Sequence, residues 1–167
     1  MKKCDYNCLT LCHIQANLFY EYASFANCSP SIFIRRFMNS KLAKRFDDYT
    51  VLLDNSTNQS FIDELNEEYG STSFGQPPEN SEPMYWVGYV YRYWSYVYEI
   101  PSKVLIRFVQ PNMLLRRYYL YHSMDIEYAI ERISEEESLH IAPQKSIDEV
   151  LNDFVDEMIK RSGVKQS

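Results

Sequence analysis

The sixteen residues from Met84 to Glu99 constrain this chain more than any other stretch, because they must be either a strand or a buried helix. Tyr85, Val87, Tyr89, Tyr91 and Tyr93 alternate, and tyrosine, tryptophan and valine favour strands. The polar positions decide otherwise. Gly88, Arg92, Ser95 and Glu99 stand at offsets of four, seven and eleven, which is one stripe of a helix. Trp86, Val90, Tyr93 and Val97 form a second face at the same spacing. A strand would scatter the polar set over both faces. Ser81 followed by Pro83 also suits a helix start. The segment is read as a largely buried helix.

The flanking sequence carries the same period. Asn7 can cap a helix running to about Ser24, with Leu11, Leu18, Phe19 and Tyr22 on its apolar face. Ser29 and Pro30 open a helix to Asn39, since proline at the first helical position loses no hydrogen bond. Lys41–Phe46 follows it. Phe61–Tyr69 is a short helix behind Ser60, ended by Gly70. Pro101 and Pro111 punctuate Ser102–Val109 and Asn112–Tyr121. Ser123 or Asp125 caps Ile126–Ile133, and the Glu135–Glu137 run reads as a solvated end. Ser146 and Glu149 form a capping box for a last helix, to about Lys160. The expected fold is therefore all-α: an irregular multi-helix bundle, one domain over 1–167, with a loop at about 70–82. Tyr49–Leu53 has strand propensity and is the one place where a short strand, near 49–53, is expected.

Composition narrows the function. The chain has 167 residues, 15 of them Tyr and 9 Phe, but only 4 Gly. So few glycines argue against a glycine-loop nucleotide fold. The net charge of −6 disfavours nonspecific nucleic-acid binding by the whole surface, which needs a basic face. The N-terminus lacks the uninterrupted apolar core of a signal peptide, and no window approaches the roughly 18 apolar residues of a membrane helix. A cytoplasmic location without membrane contact is expected, and with it free thiols rather than disulfides.

Four constellations are candidates for function. Cys4, Cys8 and Cys12 recur every fourth residue, with His13 adjacent; zinc takes such ligands, but three successive helical turns do not surround an ion, so small buried apolar residues are the first reading. Arg35 and Arg36, with Lys41, Lys44 and Arg45, form the dense basic region, a solvated face or a contact for an acidic partner or RNA. Arg92 needs a partner if buried, and cation–π contact with Tyr89 or Tyr96 would supply one. No Gly-x-Ser-x-Gly, His-Glu-x-x-His, Cys-x-x-Cys or phosphate-binding glycine loop is present, and no cofactor is implied.

The fourth constellation is Arg117-Tyr-Tyr-Leu-Tyr-His122, which resembles the motif of HEPN-type ribonucleases, themselves small α bundles. Attack by an RNA 2′-hydroxyl needs proton transfer, for which histidine is suited, and a cation near the phosphate. The resemblance implies His122 and Arg117 in those roles, with Arg116 as a second cation. The family usually has a polar residue directly after the arginine, where this chain has Tyr118. The plain reading has His122 ending a helix, where a cation suits the dipole.

Three stretches taken together resemble a poorly characterised family of small bacterial proteins from toxin–antitoxin-like loci and mobile elements. They are Phe33-Ile-Arg-Arg-Phe-Met-Asn-Ser-Lys-Leu-Ala-Lys-Arg-Phe46, Tyr85-Trp-Val-Gly-Tyr-Val-Tyr-Arg-Tyr-Trp94, and Tyr121-His-Ser-Met-Asp-Ile-Glu-Tyr-Ala-Ile-Glu-Arg-Ile133. The resemblance implies a genetic-conflict role: antitoxin, toxin, or phage-borne anti-defence protein. The leading expectation is a non-catalytic protein that binds a protein partner, a toxin or defence nuclease, through Arg92, Tyr89, Tyr91, Tyr96, Tyr98, Arg35 and Arg36. Tyrosine and arginine concentrate binding energy at interfaces. The alternatives are a metal-independent ribonuclease acting as a dimer, and an RNA-binding module.

Overall fold

The computed structural model describes residues 1–139, and the expected helix from Ser146 lies outside them. Among the described residues there are eight α-helices and no strand. They are α1 (Tyr6–Glu21), α2 (Pro30–Asn39), α3 (Lys41–Asp47), α4 (Asn58–Tyr69), α5 (Glu82–Val97), α6 (Ser102–Phe108), α7 (Pro111–Tyr121) and α8 (Ile126–Glu136). Residues 70–81 separate α4 from α5 without regular structure. No described helix is long and apolar enough to cross a membrane.

Local chemistry sets the helix ends. The Asp5 carboxylate, not Asn7, caps α1 by accepting the Cys8 N–H at 2.9 Å. Ser40 ends α2 and starts α3, its hydroxyl accepting the Ala43 N–H at 3.0 Å. α4 begins three residues earlier than its apolar pattern, because Thr57 and Ser60 bond each other's backbone N–H groups at 3.2 and 2.8 Å. Proline opens α2, α5 and α7.

The expected strand near 49–53 is a 3-10 turn, Thr50–Leu53. Tyr49 enters it in the left-handed region with φ 62°, which stops an extended run before it starts. The β-branched Val51 is used for core packing instead, at 2% exposure.

α5 is the central helix. It packs chiefly along α1, with α7, α6 and α8 around it. Of its residues from Met84 to Val97, only Tyr85 and Tyr89 are less than fully buried. A chain of rings fills the space between α1, α2, α3 and α4: Phe19 on Phe33 and Phe37, Phe37 on Phe46, and Phe46 on Phe61, with centroids 5.0 to 5.7 Å apart.

The polar stripe of α5 points inward. Gly88 exists because α1 crosses there: a Cβ at this position would stand 2.8 Å from Phe19 Cγ and 3.0 Å from the Gln15 carbonyl. Arg92 and Ser95, at 1% and 4% exposure, meet polar partners rather than solvent. Glu99, past the helix end, is exposed.

Candidate interaction surface

The first site to consider is the buried one. Arg92 donates from Nε to Gln15 Oε1 at 2.8 Å, from Nη1 to Asp47 Oδ1 at 2.7 Å and from Nη2 to the Ser102 hydroxyl at 2.8 Å. Asp47 also accepts the Ser102 N–H at 3.0 Å and its hydroxyl at 2.7 Å. Gln15 spends its amide N–H on the Gly88 carbonyl at 2.9 Å. The guanidinium also stacks 5.4 Å from the Phe46 ring centre, not over Tyr89 or Tyr96. One arginine thus ties together α1, α3, α5 and α6, with its three nitrogens satisfied. It is an anchor, and it does not reach a partner.

Several expected contact residues share its fate. Tyr91 is fully buried and donates to the Val109 carbonyl at 2.6 Å. Tyr96 is buried and donates to the Asp5 carboxylate at 2.8 Å. These corrections have one cause: α5 is enclosed on nearly every side. Tyr89 and Tyr98 keep a partly accessible edge. Arg35 is exposed and donates to Gln110 Oε1 at 3.2 Å. Arg36 donates to the Gly70 carbonyl and lies 5.6 Å from the Tyr69 ring centre.

The helix bearing Arg117 and His122 does not converge them. Arg117 is paired with Glu136 at 3.1 Å and with Glu137, joining α7 to the end of α8. Glu135–Glu137 is exposed, as expected of a solvated end, and two of its members pair with Arg117 at the surface. His122 shares a hydrogen bond from Nδ1 with the Tyr118 carbonyl at 2.9 Å and stacks on the Tyr118 ring at 4.5 Å. Five positions of α-helix turn the two side chains about 140° apart. Arg116 is exposed.

The cysteines also depart from expectation. Cys4 precedes α1, so it is not on the helical face of Cys8 and Cys12. Cys4 is joined to Cys8 in a disulfide, with Cα atoms 5.2 Å apart. Cys12 and Cys28 are free and buried. Burial pushes the Cys12 thiol up to about 12. Among the described residues, no group of three or more His, Cys, Asp or Glu is placed to hold a metal.

The accessible aromatic surface lies along the seam of α1 and α5. Tyr6, Leu9, His13 and Tyr20 follow one another at offsets of three, seven and fourteen, and all are exposed. The near edge of α5 completes the surface. His13 Nδ1 and the Tyr85 hydroxyl share a hydrogen bond at 2.8 Å. Tyr20 meets Tyr85 edge-on at 6.4 Å, and His13 meets Tyr89 edge-on at 5.5 Å. Tyr89 stacks on Tyr93 at 6.4 Å, and the Tyr93 hydroxyl donates to Glu127 at 2.5 Å. Burial raises the Tyr89 and Tyr85 phenols above their ordinary range. The spacing of Tyr6, Leu9, His13 and Tyr20 was available in the sequence, on the side of α1 opposite its apolar core face.

No family model, curated protein or solved structure matches this chain.

Proposed function

We propose that this chain is a non-catalytic protein-binding domain that engages a protein partner through the α1–α5 aromatic seam. Its biological setting is the one implied by the resemblance noted above: an antitoxin-like or anti-defence component acting on a toxin or a defence nuclease. The observation that carries the binding role is the ladder Tyr20, Tyr85, His13 and Tyr89, in which each ring touches the next. Rings already held by their neighbours lose little freedom on binding, and that favours affinity. Tyrosine is also enriched among residues that dominate interface energies. A net charge of −6 suits a basic partner and speeds encounter with it.

A second exposed apolar group, Tyr119, Leu120, Met124 and Tyr128 near the α7–α8 turn, provides the internal control. A photo-crosslinking residue at Leu9 should capture a partner in the native cells, and the same residue at Leu120 should not. With the captured partner in hand, His13→Ala combined with Tyr85→Ala should weaken binding by at least about tenfold, the scale of one hot-spot residue. Equal affinity of this variant and the parent protein would remove the seam from the interface.

A further inference from the structure

The first five residues are a strap laid across the C-terminal end of α5. The Lys2 N–H donates to the Val97 carbonyl at 2.7 Å. The Lys2 ammonium donates to the Tyr49 hydroxyl at 3.1 Å and lies 4.2 Å from the Tyr96 ring centre. Asp5 accepts both the Tyr96 hydroxyl and the Cys8 N–H. Met1, Lys2 and Lys3 form one wall of a cavity of about 230 Å³ whose other walls include Tyr93, Val97 and Tyr98. The disulfide fixes the strap's last turn, because Cys4 is bonded to Cys8 inside α1.

We propose that the Cys4–Cys8 disulfide is a redox latch, whose reduction by a dithiol releases Met1–Lys3 and uncovers Tyr49 and the cavity wall of Tyr93, Val97 and Tyr98. Cys4 is the accessible half of the pair: it is half-buried, whereas Cys8 is fully buried. A thiolate of the reductant attacks the Cys4 sulfur, forming a mixed disulfide and releasing Cys8 as a thiolate, which takes up a proton. The second thiol of the reductant then displaces Cys4 and closes the reductant's own disulfide. The protein gains two electrons and two protons, and the dithiol loses them. Cys12, one turn beyond Cys8, stays out of the exchange because its buried thiol does not ionise near neutral pH. The packing of α1 along α5 extends beyond the ring that the disulfide closes, with Gln15 and Phe19 set against Gly88. This inference does not rest on the α1–α5 seam being an interface.

Trypsin reads the strap directly, because it cuts after Lys3. The full chain, oxidised in air, should lose Met1–Lys3 at least about tenfold more slowly than the same chain in dithiothreitol, followed by intact mass. Cleavage after Lys103, in α6, should proceed at one rate in both. The Cys4→Ser variant should lose the strap fast with or without dithiothreitol, and Lys2→Ala should lose it fast with the disulfide intact. Equal strap cleavage in the two redox states would overturn the latch. So would four alkylatable thiols in the air-oxidised protein.

Discussion

Asp47 on α3 holds Arg92 on α5 through an ion pair of 2.7 Å, with the arginine side chain 1% exposed and the carboxylate 17% exposed. Removing one partner of such a pair leaves the other charge stranded. Asp47→Ala should cost about 3 kcal/mol, the lower end of the range for breaking a buried pair, because the carboxylate side is open enough for water to enter. Arg92→Lys should not behave as a conservative change, since an ammonium cannot reach Gln15, Asp47 and Ser102 together. Urea unfolding monitored by circular dichroism measures both. An Asp47→Ala midpoint indistinguishable from the parent's would show that the network is ornamental.

Gly88 sets how closely α1 and α5 approach. Alanine ordinarily gains about 0.8–1 kcal/mol over glycine inside a helix. Here its methyl group would meet Phe19 at 2.8 Å and the backbone carbonyl of Gln15 at 3.0 Å. A side chain can swing away, but a helix backbone cannot. Overpacking of roughly 1–3 kcal/mol should therefore win, and Gly88→Ala should lower the urea midpoint. A variant more stable than the parent would mean that the two helices have slack.

These two positions show what was legible in the chain. The helical stripe Gly88, Arg92, Ser95 and Glu99 identified the secondary structure correctly, because a period is a local property. Which way the stripe faced was not local. Polar residues usually mark the solvent side, and here Gln15, Asp47 and Ser102, distant in sequence, make the inside equally polar. The same limit hid the fate of Tyr91 and Tyr96. The strand expected near 49–53 is absent for a different reason: the propensity of Val51 serves packing, and among the described residues there is no strand to pair with. The seam on α1 was readable as spacing, but its value depends on Tyr85 and Tyr89 arriving alongside.

The buried tyrosines make stability fall on the alkaline side. Burial pushes the Tyr91 and Tyr22 phenols well above their ordinary range; burial does the same for Tyr93, and its hydrogen bond to Glu127 adds to it. Above pH about 10 the unfolded chain releases these protons while the folded chain keeps them. The stabilisation is complete below that pH and is lost as the pH rises toward the folded values. Phenolate absorbance at 295 nm should therefore show a late step coincident with loss of helical circular dichroism. Complete ionisation of all tyrosines before any helix melts would contradict the burial.

Loss of the disulfide should be mild by comparison. Cross-links stabilise chiefly by restricting the unfolded chain, and the restriction grows with the ring they close. Cys4 and Cys8 are only four residues apart. The chain-entropy relation then gives about 2 kcal/mol for Cys4→Ser, less than the cost expected at Asp47. The cap of α1 survives in that variant, because Asp5 accepts the Cys8 N–H independently of the sulfur. Urea titrations of Cys4→Ser and of the parent protein in dithiothreitol should give midpoints that agree with each other and lie modestly below that of the oxidised parent. A global unfolding of Cys4→Ser under native conditions would mean that the N-terminal ring supports the core, in conflict with the separate packing of α1 on α5 at Gln15, Phe19 and Gly88.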